Sequence, residues 1–212
     1  MNAYNELYLD DAMKNLGDMI DYAVCHLKYD PDEFFSWFIN SGIADKFGKG
    51  NPKYVVGMSG VELVDCVLKA TNIACKDTQA SNYDYKSKEY WAGWILAYYQ
   101  WQSGKRFEDI VSNGLSLSKI MSMYILHEAD ESKFIVEANK IISKHKKAQE
   151  SKLHIIRTAR GFTQKRLSDE SGVSLRMIQL YEQKQNDIGN AQAKTVVSLA
   201  KVLGCSVEDL IS

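Results

Sequence analysis

Residues 161–183 read GFTQKRLSDESGVSLRMIQLYEQ, and this stretch decides the fold of the chain's C-terminal part. It has the form of two short helices joined by a tight turn. Thr163 can cap the first helix, TQKRLSDES, through its hydroxyl, with Leu167 turned inward. Gly172 supplies a left-handed turn that only glycine adopts cheaply. Val173 plugs the corner and Ser174 caps the second helix, SLRMIQLYEQ. Working outward, Leu153 and Ile156 give a preceding helix its buried face, and Gly161 ends it. On the other side a helix is expected from about Ala191 to Leu203, with Val196, Leu199, Ala200 and Leu203 inward. Gly204 stops it, Ser206 caps a last turn, and Val207 and Leu210 close the core. Residues 151–212 thus hold five short helical patterns.

Four features coincide in this segment: Thr-Gln opening the second helix, Gly-Val-Ser at the turn, Ile-x-x-Tyr-Glu closing the third, and Leu-Ala-x-x-Leu-Gly-x-Ser-x-x-x-Leu behind them. Together they resemble the lambda-repressor/Cro-type (XRE) helix-turn-helix DNA-binding family. The resemblance covers only the last part of the chain and implies a five-helix domain that reads double-stranded DNA. Helical spacing puts Ser174, Ile178 and Tyr181 on an inward stripe of the third helix, with Leu175, Arg176, Gln179 and Gln183 opposite, and Ser174 at the helix start joins these four as a candidate DNA contact. In helix-turn-helix proteins that helix enters the major groove. There Arg176 can fork onto guanine O6 and N7, Gln179 can pair with adenine N6 and N7, and Leu175 can meet a thymine methyl. The start of the second helix, Thr163 and Gln164, presents backbone N–H groups and a positive dipole end to a phosphate. Lys165, Arg166 and Lys184 would add phosphate neutralisation and salt-sensitive affinity. The resemblance further implies that Gln164 braces backbone or base contacts and that Arg157 and Glu182 form an ion pair between the first and third helices. In two places the chain departs from the family's pattern. Lys184 stands where glycine is frequent, and Ser168 where alanine is usual, which leaves the end of the third helix open while keeping close helix packing.

The first 148 residues form a separate helical domain on this reading, with the DNA-binding domain spanning 149–212. Leu9, Ala12, Met13, Leu16, Met19, Ile20, Ala23 and Leu27 recur at helical spacing. Asp30 caps a helix that starts with Pro31 and carries Phe34, Phe35, Trp37 and Phe38. Gly48, Gly50, Pro52 and Gly57 exclude a long helix between Gly42 and Gly60, and Lys53–Gly57 reads as a short extended piece. Ser59 and Glu62 form a capping box. Asn72–Tyr85 reads as a loop. Further helices are expected over Lys86–Gln102, Ser116–Leu126 and Asp130–Lys147. A stiff, Pro- and Gly-free tail, Lys144–Glu150, leads into the second domain. With no sustained two-residue alternation, the fold class is all-α.

Charge sharpens the division. Residues 1–150 carry 17 basic and 21 acidic residues, a net of −4, while 151–212 carry 9 and 6, a net of +3. The acidic part is therefore unsuited to lying on phosphates. Hydrophobic residues at 45% with only two prolines exclude a disordered chain. No apolar run reaches the roughly 20 residues of a membrane span, and the N-terminus lacks a secretory pattern, so a cytoplasmic protein is expected. Cys25, Cys66, Cys75 and Cys205 lack metal-binding spacing and read as free thiols.

Nothing in the first domain announces chemistry. His127-Glu128-Ala129-Asp130 lacks a paired histidine, and Asp130 reads as a helix cap, so no metal is expected. Gly57-Met58-Ser59-Gly60 is no phosphate loop. Cys25 and His26 diverge by about 100° on a helix and form no simple dyad. Trp91, Trp94, Tyr98 and Trp101 at helical spacing read as core or interface. The expectation is a sequence-specific transcriptional regulator, a repressor working as a homodimer, with no catalytic residues and no cofactor. Its first domain would supply dimerisation, a protein partner's site or effector sensing. The first domain also resembles segments fused to such DNA-binding domains near toxin–antitoxin-like loci. Hence the alternative is an antitoxin that holds a toxin there and represses its own operon. An enzyme built on the helical domain and a pure protein-interaction module are the remaining alternatives.

Overall fold

The computed structural model describes residues 2–74 and 86–211. Residues 1, 75–85 and 212 lie outside the described residues, and with them Cys75 and most of the stretch expected as a loop. Helices account for the regular structure, and no strand occurs among the described residues. The chain divides into two compact units, Met1–His145 and Lys146–Ser212, three residues ahead of the boundary expected at 148.

The first unit runs through α1 (Leu9–Asp21), a π-helical turn (Tyr22–His26), α2 (Pro31–Asn40), α3 (Ile43–Gly48), α4 (Pro52–Val55), α5 (Gly60–Thr71), α6 (Lys88–Ser103), α7 (Phe107–Ser112), α8 (Leu117–Met121), a 3-10 turn (Tyr124–Glu128) and α9 (Glu131–Gln149) as far as His145. Its centre is the packing of α1 on α6, with α5 also against α1. Gly17 and Gly93 let the two backbones meet: a Cβ on Gly93 would lie 2.5 Å from the Leu16 carbonyl oxygen and 2.9 Å from Gly17 Cα. Around this crossing, Leu16, Met19, Ile20, Phe34, Phe38, Leu63, Leu96 and Tyr99 are buried in one continuous core. The caps match the local chemistry. Asp30 Oδ1 accepts from the Asp32 and Glu33 amides, and Ser59 exchanges bonds with Glu62 as a capping box. Asp130 Oδ1 likewise accepts from the Ser132 amide at the start of α9. Trp91 and Trp101 are buried, while Trp94 and Tyr98 are half-buried against the same core.

Three local expectations need correction. Lys53–Gly57 is not extended: Asn51 caps the Lys53 amide, Pro52 sits in the first turn, and the segment coils as α4. The α1 periodicity continues to Leu27 in spacing, yet the chain widens to a π turn at Tyr22–His26 before the Leu27 amide bonds to the Tyr22 carbonyl. The helix expected over Ser116–Leu126 ends at Met121 and is followed by the 3-10 turn.

The second unit contains α10 (Lys152–Ala159), α11 (Gln164–Ser171), α12 (Leu175–Glu182), a 3-10 turn (Ile188–Asn190), α13 (Ala193–Leu203) and α14 (Glu208–Ile211). Its own core gathers Leu153, Leu167, Ile178, Tyr181, Val196, Leu199, Leu203 and Leu210. α11 packs on α12 and α13, and α10 packs on α12 and α14. The fourth helix starts at Ala193 rather than near Ala191, because the 3-10 turn occupies the chain up to Asn190. Ser206 and Asp209 cap α14 reciprocally, the Asp209 amide donating to Ser206 Oγ and the Ser206 amide to Asp209 Oδ2.

Candidate nucleic-acid interface

Local sequence sets the angle between α11 and α12. Thr163 Oγ1 accepts from the Arg166 amide at the start of α11. At its end Gly172 takes φ +71°, and its amide donates to the Ser168 carbonyl. Ser168, in the place of the family's usual alanine, donates its hydroxyl to the Val173 carbonyl at 2.7 Å, so the small side chain also ties down the turn. Ser174 then caps α12 by accepting from the Met177 amide. Lys184 follows α12 with φ +54°, the conformation glycine would hold more cheaply. The third helix therefore ends in a left-handed residue despite the change of residue type. The Gln185 and Asn186 amides both donate to the Leu180 carbonyl.

The orientation of α12 rests on a buried polar cluster. Arg157 of α10 is 7% exposed and Glu182 at the end of α12 is 9% exposed. The guanidinium grips the carboxylate with two bonds, Nε to Oε1 at 2.5 Å and Nη2 to Oε2 at 3.0 Å. Its remaining nitrogen, Nη1, donates to the Phe162 carbonyl at 2.6 Å. Gln164, the first residue of α11, donates Nε2 to Glu182 Oε2 at 2.7 Å. His154 completes the cluster, with Nδ1 3.2 Å from Glu182 Oε2 and 3.1 Å from Arg157 Nη2. Burial alone would raise the Glu182 carboxyl's pKa. The hydrogen bonds from Arg157, Gln164 and His154 outweigh that penalty and hold it below the ordinary glutamate value. One carboxylate thus joins the first three helices of the unit. The family resemblance implied the Arg157–Glu182 pair but not the roles of His154, Phe162 and Gln164. His154 lies three residues before Arg157 on the same helix face, a spacing that could have pointed to it.

The outward residues fall as follows. Ile178 and Tyr181 are buried, as the helical stripe required. Ser174 is exposed, contrary to the expectation that it packs inward. As the cap it precedes the helix, with extended backbone at φ −58° and ψ 143°, so the helical spacing does not reach it. Leu175 is 37% exposed. Arg176 and Gln183 are exposed and Gln179 is half-buried. Thr163, Lys165 and Lys184 are exposed too. Gln164 is half-buried, and its amide nitrogen is engaged by Glu182. Arg166 is held in place on α11, with Nε bonded to Glu170 Oε1 at 2.7 Å and its guanidinium carbon 4.4 Å from the centre of the Phe162 ring. Lys165, also on α11, is exposed.

Elsewhere the candidate chemistry is silent. Among the described residues no group of three His, Cys, Asp or Glu side chains could hold a metal ion. Cys25, Cys66 and Cys205 are free thiols, and burial pushes Cys25 up to about 11, far from a reactive thiolate at neutral pH. No described helix is long and apolar enough to cross a membrane.

A helix-turn-helix family model matches residues 153–210, just over a quarter of the chain and nearly the whole of the second unit. No curated protein and no solved structure matches the chain. The match supports a DNA-binding regulator of the XRE type, a family of regulators rather than of enzymes.

Proposed function

We propose that this protein is a sequence-specific DNA-binding repressor of transcription that acts as a symmetric pair through residues 149–212. The observation that carries the reading is the outward face of α12. Leu175, Arg176 and Gln183 stand exposed opposite Ile178 and Tyr181, on a helix held from behind by the Arg157–Glu182 pair. Arg176 and Gln179 supply the forked hydrogen bonding that distinguishes guanine and adenine. Lys165 and Lys184 supply charge against phosphates, and the N-terminus of α11 offers a positive dipole end. One such domain covers half of a palindromic site, so two are needed to span half-sites about 34 Å apart. The acidic first unit then serves pairing, a partner or an effector rather than DNA.

A mobility-shift titration against the duplex upstream of the protein's own coding sequence tests this reading, with a scrambled duplex beside it. Arg176→Ala is expected to lose about 1–3 kcal/mol of discrimination at one base position. Lys165→Ala weakens both duplexes alike and flattens the salt dependence. Should both variants bind both duplexes as the wild type does, the assigned face is wrong.

A further inference from the structure

The first unit holds a recess that its core does not fill, with a volume of about 340 Å³. Tyr90, Trp91 and Trp94 of α6, Tyr124 of the 3-10 turn and Phe134 of α9 wall it, and Glu131 stands at its edge. Such a volume lies at the lower end of ligand sites. The rings do not collapse into a stack. Trp91 meets Tyr124 at 77° and 5.7 Å, and Phe134 at 86° and 5.8 Å, so these rings pack edge to face, with Trp94 and Tyr124 the more exposed of the lining aromatics. His127 lies flat on Tyr124, with ring centres 4.2 Å apart, and its Nδ1 sits 2.7 Å from the Tyr124 carbonyl oxygen. His127 is thus part of the lining, stacked on Tyr124.

Electrostatics then selects the occupant. Aromatic faces carry negative quadrupole density and attract cations. Glu131, half-buried in the first turn of α9, adds a full negative charge at the same opening, with Glu128 and Asp130 close in sequence. Lys86 also borders the recess, but its ammonium lies 4.6 Å from the centre of the Tyr90 ring and within electrostatic reach of Asp18. A cationic guest therefore sits toward Glu131 and away from the Tyr90 ring that Lys86 covers. A neutral apolar guest would desolvate Glu131 without a partner, and an anion would meet both the carboxylate and the ring faces.

We propose that this recess binds a small organic cation, an alkylated ammonium carried on an aromatic or aliphatic body. The guest's apolar part replaces water between the tryptophans and Tyr124, and its charged head faces Glu131. The site is independent of the DNA-binding reading, since it lies wholly within the first unit.

Isothermal titration of the full chain, with no DNA present, tests it. Benzyltrimethylammonium is the probe, with 3-phenylpropanol and benzoate as neutral and anionic counterparts. Saturable binding of the cation is expected, with both counterparts at least about tenfold weaker. Glu131→Gln, a change on a half-exposed side chain, is expected to weaken the cation about tenfold and leave the alcohol unchanged. Trp94→Leu weakens the cation as well, with the unfolding temperature recorded for both variants to establish that they fold. Absence of saturable binding, equal binding of all three compounds, or a Glu131→Gln variant as tight as wild type overturns the proposal.

Discussion

Glu182→Ala is the sharpest single test of how the second unit is held together. The substitution leaves the Arg157 guanidinium 7% exposed without its carboxylate, and strips Gln164 of its acceptor. Removing one partner from a buried ion pair costs about 3–5 kcal/mol. Here Arg157 keeps its 2.6 Å bond to the Phe162 carbonyl, and His154, at 36% side-chain exposure, leaves one edge of the cluster near water. Both soften the loss, so about 3 kcal/mol is expected. Because two units unfold in one chain, segment-resolved hydrogen exchange is the suitable assay. Core amides of α11 and α12 should exchange about a hundredfold faster, while those of α1 and α6 keep their rates. The acid also sets a pH dependence. Its folded pKa lies below the ordinary value of 4.5, so its stabilisation is fully present above that value and disappears as pH falls through the folded pKa. The gap between wild type and variant should therefore narrow as pH falls below 4.5 and close once pH has passed the lowered folded pKa. Replacing both partners, Arg157→Met with Glu182→Leu, should cost less than the single change, since no charge is stranded. A single-variant loss under about 1 kcal/mol, or a double variant worse than the single one, would refute the assignment of the pair as the brace of α12.

Lys184→Gly removes a side chain from a residue at φ +54° and should raise the stability of the second unit by about 0.5–1 kcal/mol, read as a shift in the urea midpoint of its transition. Gly93→Ala drives a Cβ to 2.5 Å from the Leu16 carbonyl oxygen, and neither backbone can swing aside as a side chain could. A loss of about 3 kcal/mol or more in the first unit is expected, seen as a lowered melting temperature with segment 153–210 unchanged in hydrogen exchange. Ser59→Ala removes the hydroxyl half of the capping box and should cost about 1 kcal/mol, visible as faster exchange in the first turn of α5.

Apolar spacing made the helices legible wherever a side chain had a core to enter. Leu16, Met19 and Ile20 in α1 and Val196, Leu199 and Leu203 in α13 all lie where their periodicity put them. Caps were legible for the same local reason, as at Asp30, Ser59 and Thr163. Failures came where two local signals competed. Tyr54, Val55 and Val56 suggested extended chain, but the Asn51 cap and Pro52 one residue later start a helix, the same device as Asp30 and Pro31. At Ser174 the helical count was carried one residue too far, onto a position whose backbone is not helical. The π turn at Tyr22–His26 leaves no trace in spacing, because one widened turn still ends with Leu27 buried. The partners of Glu182 were only half legible. Arg157 follows from the family pattern, whereas the Gln164 amide reaches it through the tertiary approach of α11 to α12.

The division of labour on α12 has an evolutionary consequence. Residues that fix the helix, Ile178, Tyr181 and Glu182, look backward into the domain, and Leu175, Arg176 and Gln183 are exposed. Exchange of the outer letters can therefore rewrite what the surface recognises at almost no penalty to folding. Drift at the rear must instead be answered by compensating changes on two other helices, so novelty should accumulate on one side of this rod and stasis on the other.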